Sequence, residues 1–235
     1  MASLYLIPNL LSDTPWQGVL PQPISEIVSK LRFFIVEDVR NARRFLKKID
    51  PSINIDELAF FELNKFTTEQ QKVEYMKPLT EGSDIGLLSE AGCPGVADPG
   101  ADMVKLAHQR NYRVIPLVGP SSILLALMAS GLNGQQFAFH GYLPVKQPER
   151  ISKIQQLEKQ AYSLKQTQIF IETPYRNNPL IHDLLKSCQP STLLCIAADL
   201  TSENEFIHTR SISEWKNMVP DLDKRPAIYL LGLPE

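Results

Sequence analysis

Ser89-Glu90-Ala91-Gly92-Cys93-Pro94-Gly95-Val96-Ala97-Asp98-Pro99-Gly100 follows directly on the apolar run Ile85–Ser89. A strand that runs into a loop with glycines at 92, 95 and 100 has residues at its carboxyl end that tolerate positive φ and close approach of a ligand. Ligands of open α/β sheets bind at that end of the strands. Asp98-Pro99 reads as a helix start, a carboxylate cap before a proline suited to the first helical position. A second strand-to-helix turn, Val118-Gly119-Pro120-Ser121-Ser122, offers amide N–H groups and two hydroxyls at a helix N-terminus. Either loop alone is compatible with ordinary turn chemistry. Two of them on neighbouring strands point to a ligand site.

The remaining sequence alternates in the same way. Leu4–Ile7, Phe33–Glu37, Ala59–Leu63 and Tyr112–Leu117 are short apolar runs with strand composition. Helical patterns lie near 24–30, 39–49, 67–78, 100–111 and 121–131. This alternation predicts a mostly parallel sheet covered by helices. The composition shifts at Gly141-Tyr142-Leu143-Pro144-Val145-Lys146, from an aromatic, apolar segment to a polar helix over 148–162. The expected domains are therefore 1–142 and 143–235. In the second, strands at Thr167–Glu172, Leu193–Ala198, Glu205–Thr209 and Ala227–Gly232, with helices near 176–187 and 211–218, predict a mixed sheet. Ser211 and Glu214 form a capping box.

Composition narrows the function classes. The chain has 235 residues, 43% hydrophobic and 21% charged, as expected of a globular α/β protein. No apolar run reaches the roughly 20 residues that span a bilayer, and residues 1–11 read as a first strand rather than a signal peptide. Cys93, Cys188 and Cys195 are odd in number and widely spaced, which argues against a disulfide framework and for a cytoplasmic protein. His108, His140, His182 and His208 form no metal-spaced pair, so no metal site is expected. Dinucleotide and P-loop glycine motifs are both missing. A formal net charge of −2 gives no global affinity for nucleic acid, so any basic surface must be local. Arg40, Arg43, Arg44, Lys47 and Lys48 on one predicted helix are the candidate, with a solvated helix face as the alternative.

Polar residues also end other strands: Glu37-Asp38-Val39-Arg40, Glu172-Thr173-Pro174-Tyr175-Arg176 and Asp199-Leu200-Thr201-Ser202-Glu203. Each can cap a helix and nothing more. Gathered at one sheet edge, they can build an enzyme site.

Taken together, SEAGCPGVADPGADMV, RVIPLVGPSSILLALMASGL and FAFHGYLP resemble the tetrapyrrole methylase superfamily. The resemblance is strongest to its branch that methylates a cytidine ribose 2′-hydroxyl in small-subunit ribosomal RNA, through FFIVEDVR and IFIETPYR, the latter with tyrosine where the branch has histidine. The resemblance implies two α/β domains with S-adenosyl-L-methionine in the cleft between them, and a homodimer. It assigns the cofactor shell to Leu11, Gly92, Cys93, Val96, Ser121 and Ser122, with Ile171, Ala197 and Ala227 from the second domain. The implied partner is ribosomal RNA or the small ribosomal subunit.

Four segments depart from the branch. The glycine of its opening motif is missing from Ile7-Pro8-Asn9-Leu10-Leu11, histidines are missing from Asn64-Lys65-Phe66-Thr67-Thr68, and a lysine is missing from Asp199-Leu200-Thr201-Ser202. A C-terminal helical extension of many relatives has no counterpart here. All four bear on the acceptor more than on the cofactor. For the proton of an acceptor hydroxyl, Glu90, Asp98 and Glu172 are candidate bases. Arg40 and Arg176 are candidates to hold an acceptor phosphate or carboxylate. The alternatives are a tetrapyrrole or other small acceptor, or a paralogue that binds without turnover.

Overall fold

The structure, a computed structural model, describes residues 2–234. It divides into two compact units between Ser121 and Ser122.

The first unit contains β1 (Ser3–Ile7), α1 (Pro23–Val28), β2 (Phe33–Val36), α2 (Val39–Ile49), β3 (Ala59–Glu62), α3 (Glu69–Tyr75), α4 (Lys77–Thr80), β4 (Ile85–Leu88), α5 (Gly100–Gln109) and β5 (Arg113–Pro116). Its sheet has the order β3-β2-β4-β1-β5, and every pairing is parallel. Side chains alternate between two cores, as a strand period of two requires. Ile7, Phe34, Val36 and Leu88 face α1 and α2 through Ile24, Val28, Phe45 and Leu46. Leu4, Ile35, Ile85 and Leu87 face the other side, against Met76, Leu79, Met103 and Ala107. The unit is thus a three-layer, doubly wound sheet. The helix expected over 67–78 is broken: Thr68 and Gln71 form a capping box that starts α3, and Pro78 stands at the start of α4. Proline cannot donate the amide a continuous helix would need there.

The second unit contains α6 (Ser122–Ser130), β6 (Phe137–Tyr142), α7 (Gln147–Leu164), β7 (Thr167–Glu172), α8 (Asn177–Ser187), β8 (Leu193–Ala198), β9 (Phe206–Ser211), α9 (Ile212–Trp215) and β10 (Ala227–Gly232). Its order is β6-β7-β10-β8-β9. Only β6 and β7 pair in parallel; β10 runs antiparallel to β7 and β8, and β9 to β8. The predicted mixed sheet is present. Phe170, Tyr229, Leu231 and Ile196 form its main core with Trp215 and the apolar faces of α7 and α8.

The division at Ser121 differs from the junction expected at 142. The aromatic segment before 142 is β6, an edge strand of the second sheet paired to β7, and α6 packs on β9 and β10. The shift in composition marked the end of an element rather than the end of a unit. Among the described residues, no helix is long and apolar enough to cross a membrane. Cys188 and Cys195 are buried, and all three cysteines are free.

Candidate active site

In the first sheet, β1 and β4 are neighbours, but the helices that follow them lie on opposite faces: α1 against the Ile7–Phe34 core and α5 against the Leu4–Ile35 core. Such a reversal opens a crevice beyond the carboxyl ends of the two strands. The loops leaving β1 and β4 are locked together there. Asn9 and Gly92 exchange backbone hydrogen bonds, Asn9 N donating to Gly92 O at 2.9 Å and Gly92 N to Asn9 O at 3.1 Å. The Asn9 amide group also donates to the carbonyls of Ser89 and Glu90, at 3.0 Å each. Gly92 stands at φ 70°, where a side chain would be strained. Its Cβ would face Leu11 Cδ2 at 3.4 Å and the Pro120 carbonyl at 3.5 Å.

The loop after β5 joins the same assembly. A Cβ on Gly119 would lie 2.2 Å from Pro8, so the chain passes Pro8 only because residue 119 is glycine. The Cys93 thiol approaches the Pro120 carbonyl at 3.4 Å. Burial raises the Cys93 pKa, so the group remains a thiol that packs the joint. The two glycine-bearing turns read from the sequence therefore do meet, with Pro8–Leu11 as a third wall. Asn9, which sequence reasoning did not single out, is the joint.

Gly92 spends its own amide and carbonyl inside this joint, where its carbonyl also accepts from Ser89 Oγ at 2.9 Å. Its contribution toward a ligand is close approach, not hydrogen bonding. Cys93 is partly exposed and Val96 is 47% exposed; Leu11 is partly buried. Ser121 closes the first unit and Ser122 opens α6.

Three carboxylates collect at the ends of β2 and β4. Asp98 Oδ1 accepts from Gly95 N at 2.7 Å and Gly100 N at 2.8 Å. This closes the loop and reaches the first amide of α5, but the cap residue of α5 is Pro99, with no side-chain cap. The helix starts one residue later than expected, with Asp98 ahead of the cap and the proline at it rather than at the first helical position. Burial raises its pKa against the lowering effect of those two amides. Glu90 is exposed and accepts from Asn41 Nδ2 at 2.7 Å. Glu37 accepts from Glu90 N at 3.4 Å. Burial, and then the nearby charges of Asp98 and Glu90, raise its pKa despite that hydrogen bond. Glu37 was read only as a strand-end acid, although its motif was visible. Arg40 is exposed in the first turn of α2.

The Glu37 shift gives a signed prediction. A carboxyl whose pKa is raised on folding favours the folded state in acid, and that contribution is lost as pH rises through the folded value. Glu37→Gln should therefore raise the urea midpoint at neutral pH. The gain should shrink as pH falls and vanish at about pH 3, where the glutamate is protonated in both states. A gain independent of pH would refute burial of the charge as the cause.

In the second unit, Glu172 is buried, and its Oε1 accepts from Thr173 N at 2.6 Å and from Arg176 Nε and Nη2 at 2.9 and 2.5 Å. Glu172 and Arg176, separate candidates in the sequence, are one ion pair across a short 3-10 turn at Pro174–Arg176. The pair uses one edge of the guanidinium, so Arg176 is less available to an acceptor than the sequence implied. The second Glu172 oxygen is buried without a hydrogen-bond partner. Ile171 and Ala197 flank Ile228 on one face of the sheet; Ala227 pairs with Glu172 and Ala198 in the next row, on the other face. These three expected cofactor residues do not present their side chains to one side. Asp199 is paired with Arg225 at 2.5 Å.

One departure has a local structural account. The histidine-poor segment 64–68 is closed by Asn64, whose Oδ1 accepts from Phe66 N at 2.9 Å, and it leaves Phe66 78% exposed. His140 shares a 2.7 Å hydrogen bond with Gln168. Among the described residues, no group of three or more His, Cys, Asp or Glu is placed to hold a metal ion.

No family model matches the chain. It is 30% identical over 222 residues to the ribosomal RNA small subunit methyltransferase I of Vibrio cholerae, covering 94% of this chain and 73% of that protein. The chain belongs to the ribosomal RNA small subunit methyltransferase I family. The family member of Escherichia coli O157:H7 is 29% identical over 223 residues, with 94% and 73% coverage. That of Streptococcus pyogenes serotype M6 is 30% identical over 212 residues, with 90% and 69% coverage. Like them, the chain is a methyltransferase. The crystal structure of the methyltransferase CobJ matches 99% of this chain and 93% of its own with a TM-score of 0.63 at 13% identity. That likeness gives the fold: two α/β units of tetrapyrrole-methylase type.

Proposed function

We propose that this methyltransferase uses S-adenosyl-L-methionine to methylate a cytidine ribose 2′-hydroxyl in small-subunit ribosomal RNA, as a cytoplasmic homodimer. Relatives with that RNA in their names match 94% of the chain. The observation that carries the reading is the interlocked set of three loops at the switch point of the first sheet. Asn9 and Gly92 satisfy each other's backbone groups, so the joint between the first two loops is formed before any ligand arrives, and fixed placement is what a transfer reaction between two bound partners needs.

The residues present fit the cofactor. Glycine at 92 and 119 keeps side chains out of the space between loops that nearly touch, which leaves Leu11, Cys93 and Val96 as an apolar surface for an adenosyl group. Ser121, at the end of the same unit, adds a hydroxyl. Bound there, S-adenosyl-L-methionine supplies an electrophilic methyl group. The protein's part is to orient the acceptor, exclude water and take up the hydroxyl proton. Glu90, exposed and held by Asn41, is a base within reach of solvent-borne RNA. Asp98 and Glu37, with raised pKa values, sit beside it to share a proton. Arg40 is suited to hold an acceptor phosphate. Glu172 orients Arg176 for the same task.

Mass spectrometry of small-subunit ribosomal RNA should show one cytidine that loses its ribose methyl in a deletion strain and regains it on re-expression. Identical RNA masses in the two strains would rule this acceptor out.

A further inference from the structure

Helix α2 holds five cations and no acid in the sequence Val39-Arg40-Asn41-Ala42-Arg43-Arg44-Phe45-Leu46-Lys47-Lys48-Ile49. Ala42, Phe45, Leu46 and Ile49 are buried in the core of the first unit. Arg40, Arg43, Arg44 and Lys47 are exposed, and their spacing of three and four residues aligns them as one stripe along the outer face. Lys48 is paired with Asp13. Among the described residues, no carboxylate lies within ion-pair distance of the four stripe residues. Arg43 is steadied over the Phe60 ring, 5.4 Å from its centroid.

Helix stability does not account for this stripe. Lys47 and Lys48 suit the negative end of the helix dipole, but Arg40 stands in the first turn, where a cation opposes it. Overall basicity does not account for it either, because the chain carries a net charge of −2. The stripe also has a definite starting point. Asn41, in the first turn of α2, donates to Glu90 of the loop after β4, so the cations lead away from the carboxylate cluster of the candidate site.

We infer that the α2 stripe docks the phosphodiester backbone of the RNA acceptor, an inference that rests on the function proposed above. Arginine predominates, and its planar fork matches phosphate oxygens in pairs. A membrane surface would call for apolar side chains beside the cations, and those of α2 are turned into the core. Phosphate contacts fix register without reading sequence, so the stripe sets where the RNA lies and leaves choice of nucleotide to the site.

The test is the full-length double variant Arg44→Gln/Lys47→Gln, with Lys153→Gln/Lys159→Gln on α7 as a control of equal charge change. Fluorescence anisotropy with a labelled single-stranded oligoribonucleotide, at about 50 to 200 mM salt, reads affinity and its salt dependence. The stripe variant should bind on the order of tenfold more weakly, and its log–log salt slope should be shallower by about 1.4, or about 0.7 for each lost phosphate contact. S-adenosylmethionine affinity should match the wild type, and the control should leave the slope unchanged. An unaltered slope in the stripe variant, or an equal change in the control, overturns the inference. So does a stripe-dependent affinity for phosphatidylserine vesicles with RNA binding intact. Methyl transfer by the wild type to small ribosomal subunits keeps the two questions apart. Its absence sinks the proposed function, whereas transfer with an unaltered slope in the stripe variant sinks the docking surface alone.

Discussion

Gly119→Ala is expected to cost the first unit about 1–3 kcal/mol, the usual cost of forcing extra volume into a close-packed site, and to weaken S-adenosylmethionine binding by about tenfold or more. The new methyl would lie 2.2 Å from Pro8 Cβ and Cγ. A flexible side chain could swing away from such a contact, but a pyrrolidine ring cannot. Relief must come from the backbone, and Pro8 precedes Asn9, which is bonded on both sides to Gly92. Strain at residue 119 therefore passes to all three loops at once. Urea unfolding and titration calorimetry read the two effects separately. Wild-type stability would show that the loops are not interlocked as described. Lost stability with undiminished affinity would show that the cofactor binds elsewhere.

Asp183→Ala should have the largest effect on stability, about 3–5 kcal/mol, because it leaves a buried guanidinium without its counter-ion. Arg150 and Asp183 are both buried. Arg150 Nε donates to Asp183 Oδ2 at 2.7 Å and Arg150 Nη1 to the Val145 carbonyl at 2.8 Å. Gln147 donates to the other Asp183 oxygen at 2.8 Å. The network ties the start of α7 to the middle of α8. The same physics predicts that Arg150→Met with Asp183→Leu recovers most of the loss, since an apolar pair carries no desolvation penalty. Equilibrium urea denaturation of the single and double variants checks both statements. A loss below about 1 kcal/mol in the single variant would mean that the pair is hydrated.

Much of this was legible in the order of residues. Apolar runs and helical patterns are properties of contiguous segments, so Phe33–Val36, Ile85–Leu88 and the extent of α2 could be read directly. Loop composition likewise announced Gly92 and Gly119, because few other residues accept their backbone or their neighbours. Capping at Ser211 and Glu214 is equally local, and the capping box is present.

Relations between distant residues were not legible. The sequence could not order the strands, and so could not reveal that β1 and β4 adjoin and form a switch point. Nor could it show that Asn9 joins the two loops, that Arg176 is held by Glu172, or that β6 belongs to the second sheet. Each depends on which segments finally lie side by side, and that is settled by burying all the apolar faces at once. Sequence alone determined the kind of layers and the places where the chain must turn; the assembled fold decided which turns meet and which charges are already spoken for.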